Sequence, residues 1–255
     1  MVILGALRMP KAASPGRRPI SLTSSDAASE VFRRYKHHGR RKGPKLSAHQ
    51  AGLLATLLPR LSLNPQHGTD PKLYFAPAQM LHVWLEIGFG GGEHLAMQAD
   101  RHPEIGILGA EPYVAGMAKL LAKIAARDLH NVRVYQNDAG EIIDALPDAS
   151  LGRVFVLFPD PWPKTRHHKR RFISTEMLDN LARIMRSGAE LRFATDDRGY
   201  LIWTLERLVA HPAFRWLAQT PAEWRARSDD WPETRYEAKA KRAGRVCIYL
   251  RFQRM

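Results

Sequence analysis

The chain has 255 residues, and its 39 Lys/Arg against 25 Asp/Glu give a formal charge of +14 and a pI near 10.3. That length suits one well-buried domain with room for appendages, and the charge points to a polyanionic partner, nucleic acid first, because clustered Lys/Arg gain affinity by displacing counterions from phosphates. The single cysteine, Cys247, excludes an intramolecular disulfide and fits a reducing cytoplasm, and no run approaches the roughly 20 apolar residues that span a bilayer.

Residues 1–32 mix Pro, Gly, Ser and Arg without periodicity, which predicts a basic, disordered arm. The opening MVILGALRM has no preceding basic residues and no clear cleavage site, so it makes a poor signal peptide. Residues 1–45 carry eleven Lys/Arg against only Asp26 and Glu30, so much of the excess charge is regional and includes RRYKHHGRRKGPK at 33–45. The folded domain is expected over 33–255.

SAHQAGLLATLL (47–58) predicts a leading helix that starts at an N-cap serine and stops at Pro59. Strand and helix signals then alternate. Strands are expected at 83–89, 105–111, 131–138, 153–159, 189–197 and 246–252, with helices at 93–101, 114–128, 174–188 and 199–210. This order implies an α/β fold: a mostly parallel central sheet with helices on both faces, closed by a final strand. Segment 219–244 is polar and Pro-bearing and is expected to be an irregular functional loop.

In such a sheet, ligands sit beyond the carboxyl ends of the strands. The first strand ends in LEIGFGGGE, which supplies Glu86 and the turn glycines Gly88, Gly90 and Gly92. The second ends at Glu111, placed to accept from ribose hydroxyls. The third ends at Asn137 and Asp138, which either read an adenine amino group or cap the next helix. The fourth ends in FPDPWPK, with Asp160 between two prolines, and the fifth in Asp196 and Asp197, either of which could cap a helix. Glu93 stands where a dinucleotide fingerprint wants glycine, and an acid there repels a pyrophosphate. A nucleoside cofactor without phosphates is favoured over NAD.

The set LEIGFGGG, GAE, ND, FPDPWPK followed by RHHKRR, ATDD and TRYE resembles the bacterial tRNA (guanine-N7-)-methyltransferases, from about Arg33 to the C-terminus. The resemblance implies a Rossmann-like methyltransferase fold with a final antiparallel strand. It also implies S-adenosylmethionine as cofactor, held by Glu86, Glu111, Asp138 and Asp160. The tRNA, modified in its variable loop, would be contacted by Lys164, Asp196, Thr234, Arg235, Tyr236 and Glu237. This chain has Arg235-Tyr236 where relatives often carry Lys-Phe.

Guanine N7 has a lone pair and no proton, so methylation needs alignment more than a base. The ring turns cationic, and a fixed carboxylate, expected to be Asp160, would stabilise that charge. Trp162 either stacks on a base or plugs the core edge. Arg166, Lys169, Arg170 and Arg171 are expected on phosphates, together with Lys164. No metal is expected, nor a membrane, and the oligomeric state is left as monomer or homodimer. The competing readings are an amino-methyltransferase acting on adenine or cytosine, a non-catalytic RNA-binding module of the same fold and, third, a dehydrogenase.

Overall fold

The computed structural model describes residues 39, 41 and 43–255, all within one compact unit, Tyr35–Met255. The basic arm expected over 1–32 lies outside the described residues, as do 33–38, 40 and 42 of the basic stretch that follows it.

The leading segment forms α1 (Ala48–Thr56) and α2 (Leu58–Leu61). Ser47 and Gln50 cap α1 reciprocally, which satisfies two N–H groups that would otherwise lack partners. The sequence predicts a stop at Pro59. Instead Pro59 enters α2 in its first turn, where a missing N–H costs nothing.

Seven strands follow: β1 (His82–Ile87), β2 (Ile105–Ala110), β3 (Val132–Tyr135), β4 (Leu151–Leu157), β5 (Met185–Thr195), β6 (Phe214–Trp216) and β7 (Ile248–Arg254). The helices between them are α3 (Glu93–Arg101), α4 (Val114–Arg127), α5 (Ala139–Ala145), α6 (Thr175–Ile184), α7 (Arg198–Ala210), α8 (Ala222–Arg225) and α9 (Arg235–Arg242). The strands make one sheet in the order β3-β2-β1-β4-β5-β7-β6, with β1 to β5 parallel and β7 antiparallel to both of its neighbours.

Period-two alternation within the strands feeds two cores. Val154 and Val156 of β4 join Ile142, Leu178 and Leu181 on one face, while Phe155 and Leu157 join Leu95, Met117 and Leu121 on the other. A strand apolar on both faces must be covered on both, and β4 at the centre is.

Three elements depart from the sequence reading. The helix expected over 174–188 ends at Ile184, and β5 begins at Met185. Met185 pairs with Leu151, but Arg153 pairs with Glu190, so β5 carries extra residues and Gly188 turns within them at φ +81°. Gly188 therefore serves a strand irregularity rather than a helix stop. The loop expected over 219–244 contains α8 and α9, and the three-residue edge strand β6 had no sequence signal of its own.

Candidate functional site

The strand order reverses at β1, so a crevice opens where the carboxyl ends of β1, β2 and β4 meet. From β1 the chain turns through Gly88, Gly90 and Gly92, at φ +68°, +55° and +71°, a backbone that residues with a Cβ adopt only under strain. Glu111, at the end of β2, holds this turn: its Oε2 accepts from the Gly90 N–H at 2.7 Å and its Oε1 from the Tyr113 N–H at 2.9 Å. Burial raises the Glu111 pKa. The two N–H groups oppose the rise, and the negative charges of Asp160 and Glu86 add to it.

Helix α4 packs against the same turn through Gly116, where an added Cβ would fall 2.3 Å from the Gly90 carbonyl oxygen. Sequence reading missed Gly116, although a lone glycine among good helix formers was the available signal.

Glu86 is only 3% exposed, and its Oε2 takes a hydrogen bond from His94 Nδ1 at 2.7 Å. With the proton on Nδ1, Nε2 is left to accept from the Gln98 amide at 3.3 Å, and the same amide donates to the Asp230 carbonyl at 2.6 Å. A buried chain thus runs from the end of β1 to the segment before α9. Glu86 is held beneath the crevice, while Glu111 stands at its wall. His94 and Gln98 carried no sequence signal beyond their place in an amphipathic helix.

Asp138 caps α5 by accepting from the Gly140 N–H at 2.9 Å. Asn137 donates to both Glu141 oxygens at 3.0 and 3.1 Å, and its own oxygen faces Arg41 at 3.4 Å.

The Asp160 loop is strained on both sides, with Phe158 at φ +51° and Trp162 at φ +45°. Each precedes a proline and lies in a region costly for residues with a Cβ. Arg171 steadies the loop: its Nε donates to the Pro161 carbonyl at 2.8 Å and its NH1 to the Gly199 carbonyl at 3.3 Å, and its guanidinium lies 5.1 Å from both the Tyr200 and Trp203 ring centroids. Arg171 is 5% exposed, and burial lowers its pKa. The phosphate contact expected of it is corrected to a strut under the loop, because a side chain this enclosed reaches no outside ligand. Lys164, Arg166 and Lys169 are exposed around a 3-10 helix, Thr165–Arg170. Arg170 stacks over Trp162 at 4.9 Å, and His167 meets the same ring edge-on.

At the end of β5 the two acids divide their work. Asp197 caps α7 through the Tyr200 N–H at 2.7 Å, while Asp196 pairs with Arg245 Nε at 2.6 Å. Thr234 caps α9 through the Glu237 N–H at 3.1 Å, and its Thr-x-x-Glu spacing was the missed sequence signal for that helix. Arg235 is exposed, and the Tyr236 ring lies against Gly90, 2.9 Å from where a Cβ there would sit. Burial raises the Tyr236 pKa, and the nearby Glu111 and Asp160 charges add to the shift while Arg235 opposes it.

Glu237 is 0% exposed. Its Oε1 is paired with Lys241 at 2.7 Å and Arg227 at 3.2 Å, and its Oε2 has no hydrogen-bond partner among the described residues. The arrangement therefore brings Glu111, Asp160 and Tyr236 together at the glycine turn. Asp196 stands one strand further along.

A family model described as a putative methyltransferase matches residues 81–250. The tRNA (guanine-N(7)-)-methyltransferase of Rhodospirillum rubrum is 51% identical over 225 residues, covering 86% of this chain and 88% of the relative. That of Paramagnetospirillum magneticum is 49% identical over 235 residues, covering 91% and 96%. In fold the chain resembles the crystal structure of the 16S rRNA methyltransferase KamB, with a TM-score of 0.51 at 19% identity over 74% of this chain and 95% of that one.

Proposed function

Since the chain belongs to the tRNA (guanine-N7-)-methyltransferase family, we propose how its own residues carry out that reaction. It is an enzyme that transfers a methyl group to N7 of a guanine in tRNA. The donor we assign is S-adenosylmethionine, and the modified guanine is placed in the variable loop. Residues 33–255 are taken as the catalytic domain and 1–32 as a tRNA-binding arm. A tRNA substrate and a lone buried cysteine suit a cytoplasmic enzyme.

The crevice fits that donor. Acids line it, and Glu93 begins α3 where a phosphate would need N–H groups unopposed by negative charge. Glu111 suits ribose hydroxyls, Asp138 and Asn137 the adenine edge, and the Gly88–Gly92 turn admits a ligand close to backbone. Bound there, S-adenosylmethionine supplies an electrophilic methyl group on a sulfonium.

Guanine N7 needs no base, so the protein's part is orientation and charge. Asp160 is exposed at the crevice mouth, and the strained backbone on either side leaves it little freedom to lose. Its carboxylate stabilises the purine cation more in the transition state than before it. Lys164, Arg166 and Lys169 take phosphates, while Arg235 and Tyr236 border the entering base. Glu237 is enclosed and holds α9 through Lys241 and Arg227, so its part is to fix where Arg235 and Tyr236 stand.

The observation that carries this reading is Tyr236 lying on Gly90, which brings the expected substrate helix against the expected cofactor turn. The test is to incubate the protein with labelled S-adenosylmethionine and unmodified tRNA, then digest and identify the nucleoside. N7-methylguanosine in the variable loop is expected, and Asp160→Asn should lower kcat on the order of 10²-fold, a larger change than its loss of cofactor affinity. Full activity in that variant would remove the charge-stabilising role from Asp160.

A further inference from the structure

A cleft of about 400 Å³ lies beyond the ends of β5 and β7, on the far side of Asp196 from Asp160. Its lining joins the apolar Leu201, Val246 and Ile248 to Trp224, to Arg198, Arg225 and Arg245, and to Asp196 and Asp197. Val246 is 71% exposed, an open apolar surface among cations. We propose that this cleft is a subsite for the nucleotide adjoining the target guanine, with Trp224 as the stacking platform and the arginines on its phosphates. The proposal rests on the tRNA reading above and adds a second point of contact to it.

Four observations carry it. The three arginines of the cleft outnumber its two aspartates: Asp196 pairs with Arg245 and Asp197 caps α7, whereas Arg198 and Arg225 make no ion pair among the described residues. An aromatic ring beside unpaired arginines is the combination that holds single-stranded nucleic acid, through base stacking and phosphate pairing. The platform is rigid, because Trp224 packs on Trp216 at 6.3 Å, itself stacked on Phe252 of the sheet at 6.0 Å; the exposed Arg225, 5.0 Å over the Trp224 ring, moves from that face to the phosphate as a base stacks there.

The position also fits. β5 separates β4, whose end carries Asp160, from β7, so the cleft is displaced from the reacting centre by roughly 10 Å, two strand spacings. That is the reach of a neighbouring nucleotide, not of the reacting base. Asp196, at the end of β5, lines the cleft on the side toward β4 and pairs there with Arg245.

The test uses the full chain and an unmodified tRNA transcript with an abasic residue placed in turn on the 5′ and the 3′ side of the methylated guanine. In the unaltered protein, one of the two abasic transcripts should lose about tenfold in kcat/KM, mainly through KM. Trp224→Ala should lose a similar factor on the intact transcript, with kcat kept, and become insensitive to the abasic change. Trp224→Phe should recover the sensitivity. Because Trp224 packs on Trp216, Arg225→Ala on the exposed side is a second variant, expected to raise KM for the tRNA with unchanged affinity for S-adenosylhomocysteine. Equal abasic losses in the unaltered protein and in Trp224→Ala would overturn the subsite, as would no loss with either transcript. No N7-methylguanosine on the intact transcript would overturn the underlying function as well.

Discussion

Glu111 spends both of its oxygens on backbone N–H groups yet has a raised pKa, because burial outweighs the two hydrogen bonds. A carboxyl whose folded pKa lies above its ordinary value of 4.5 contributes stability that is full below that value and is lost as pH rises through the folded pKa. Glu111→Gln does not titrate, so its melting temperature relative to the unaltered protein should shift in the variant's favour from pH 4 toward pH 7. A parallel pH dependence of the two proteins would remove Glu111 as the cause. Affinity for S-adenosylhomocysteine should fall in the variant by about tenfold, since an ionised acceptor bonds a hydroxyl more strongly than an amide does. The strain at Phe158 and Trp162 belongs to the same scale: two residues in costly conformations persist because Arg171, Tyr200 and Trp203 determine the loop from beneath.

Elements meet at this site through close backbone contact. Helix α4 can lie against the glycine turn only because Gly116 has no side chain, and Gly116→Ala must push the two apart. The expected result is a loss of about 1–3 kcal/mol in thermal unfolding and at least a tenfold loss of S-adenosylhomocysteine affinity by calorimetry. Unchanged affinity would mean that the turn keeps its shape without α4. Helix α9 is placed differently, by what precedes it. Trp231 is fully buried against His94 and Tyr249, and Asp230 bonds the buried Arg192 at 2.7 Å, so the chain reaches Thr234 from a fixed point on the sheet. Arg192 reaches Glu190 as well, at 3.2 Å, so a shared ionic cluster ties the segment to β5.

For the whole molecule the governing quantity is charge. Exposed cations at Lys164, Arg166 and Lys169, together with Arg198 and Arg225 at the second cleft, lie near the carboxyl ends of β4 and β5 and in the segment before α9, so their field attracts a polyanion to that edge of the sheet. Residues 1–32 add Arg8, Lys11, Arg17 and Arg18. Deleting them should weaken tRNA binding and make its log–log salt slope shallower by up to about 3, with S-adenosylhomocysteine affinity unchanged. An unaltered slope in filter binding between low and high salt would make the arm a passenger.

Apart from β6, the strands, their mostly parallel arrangement and the acids at their ends were legible in the sequence because each rests on local pattern: apolar runs of strand length, glycines after a strand, prolines around Asp160. The motif FPDPWPK followed by RHHKRR stood out for the same reason, and it lies at the carboxyl end of β4. What only the tertiary structure decided was which polar groups are left free. Arg171 and Lys169 look alike in a basic run, yet one is enclosed under the Asp160 loop and the other is exposed. Asp196 and Asp197 are adjacent acids, yet one caps α7 and the other pairs with Arg245 across 49 positions of sequence. Burial and long-range hydrogen bonds depend on which segments pack together, and no local spacing carries that information. The segment holding Trp231 and α9 shows this most fully: polar along its length, it is anchored by one tryptophan and one aspartate that meet their partners only once the sheet has formed.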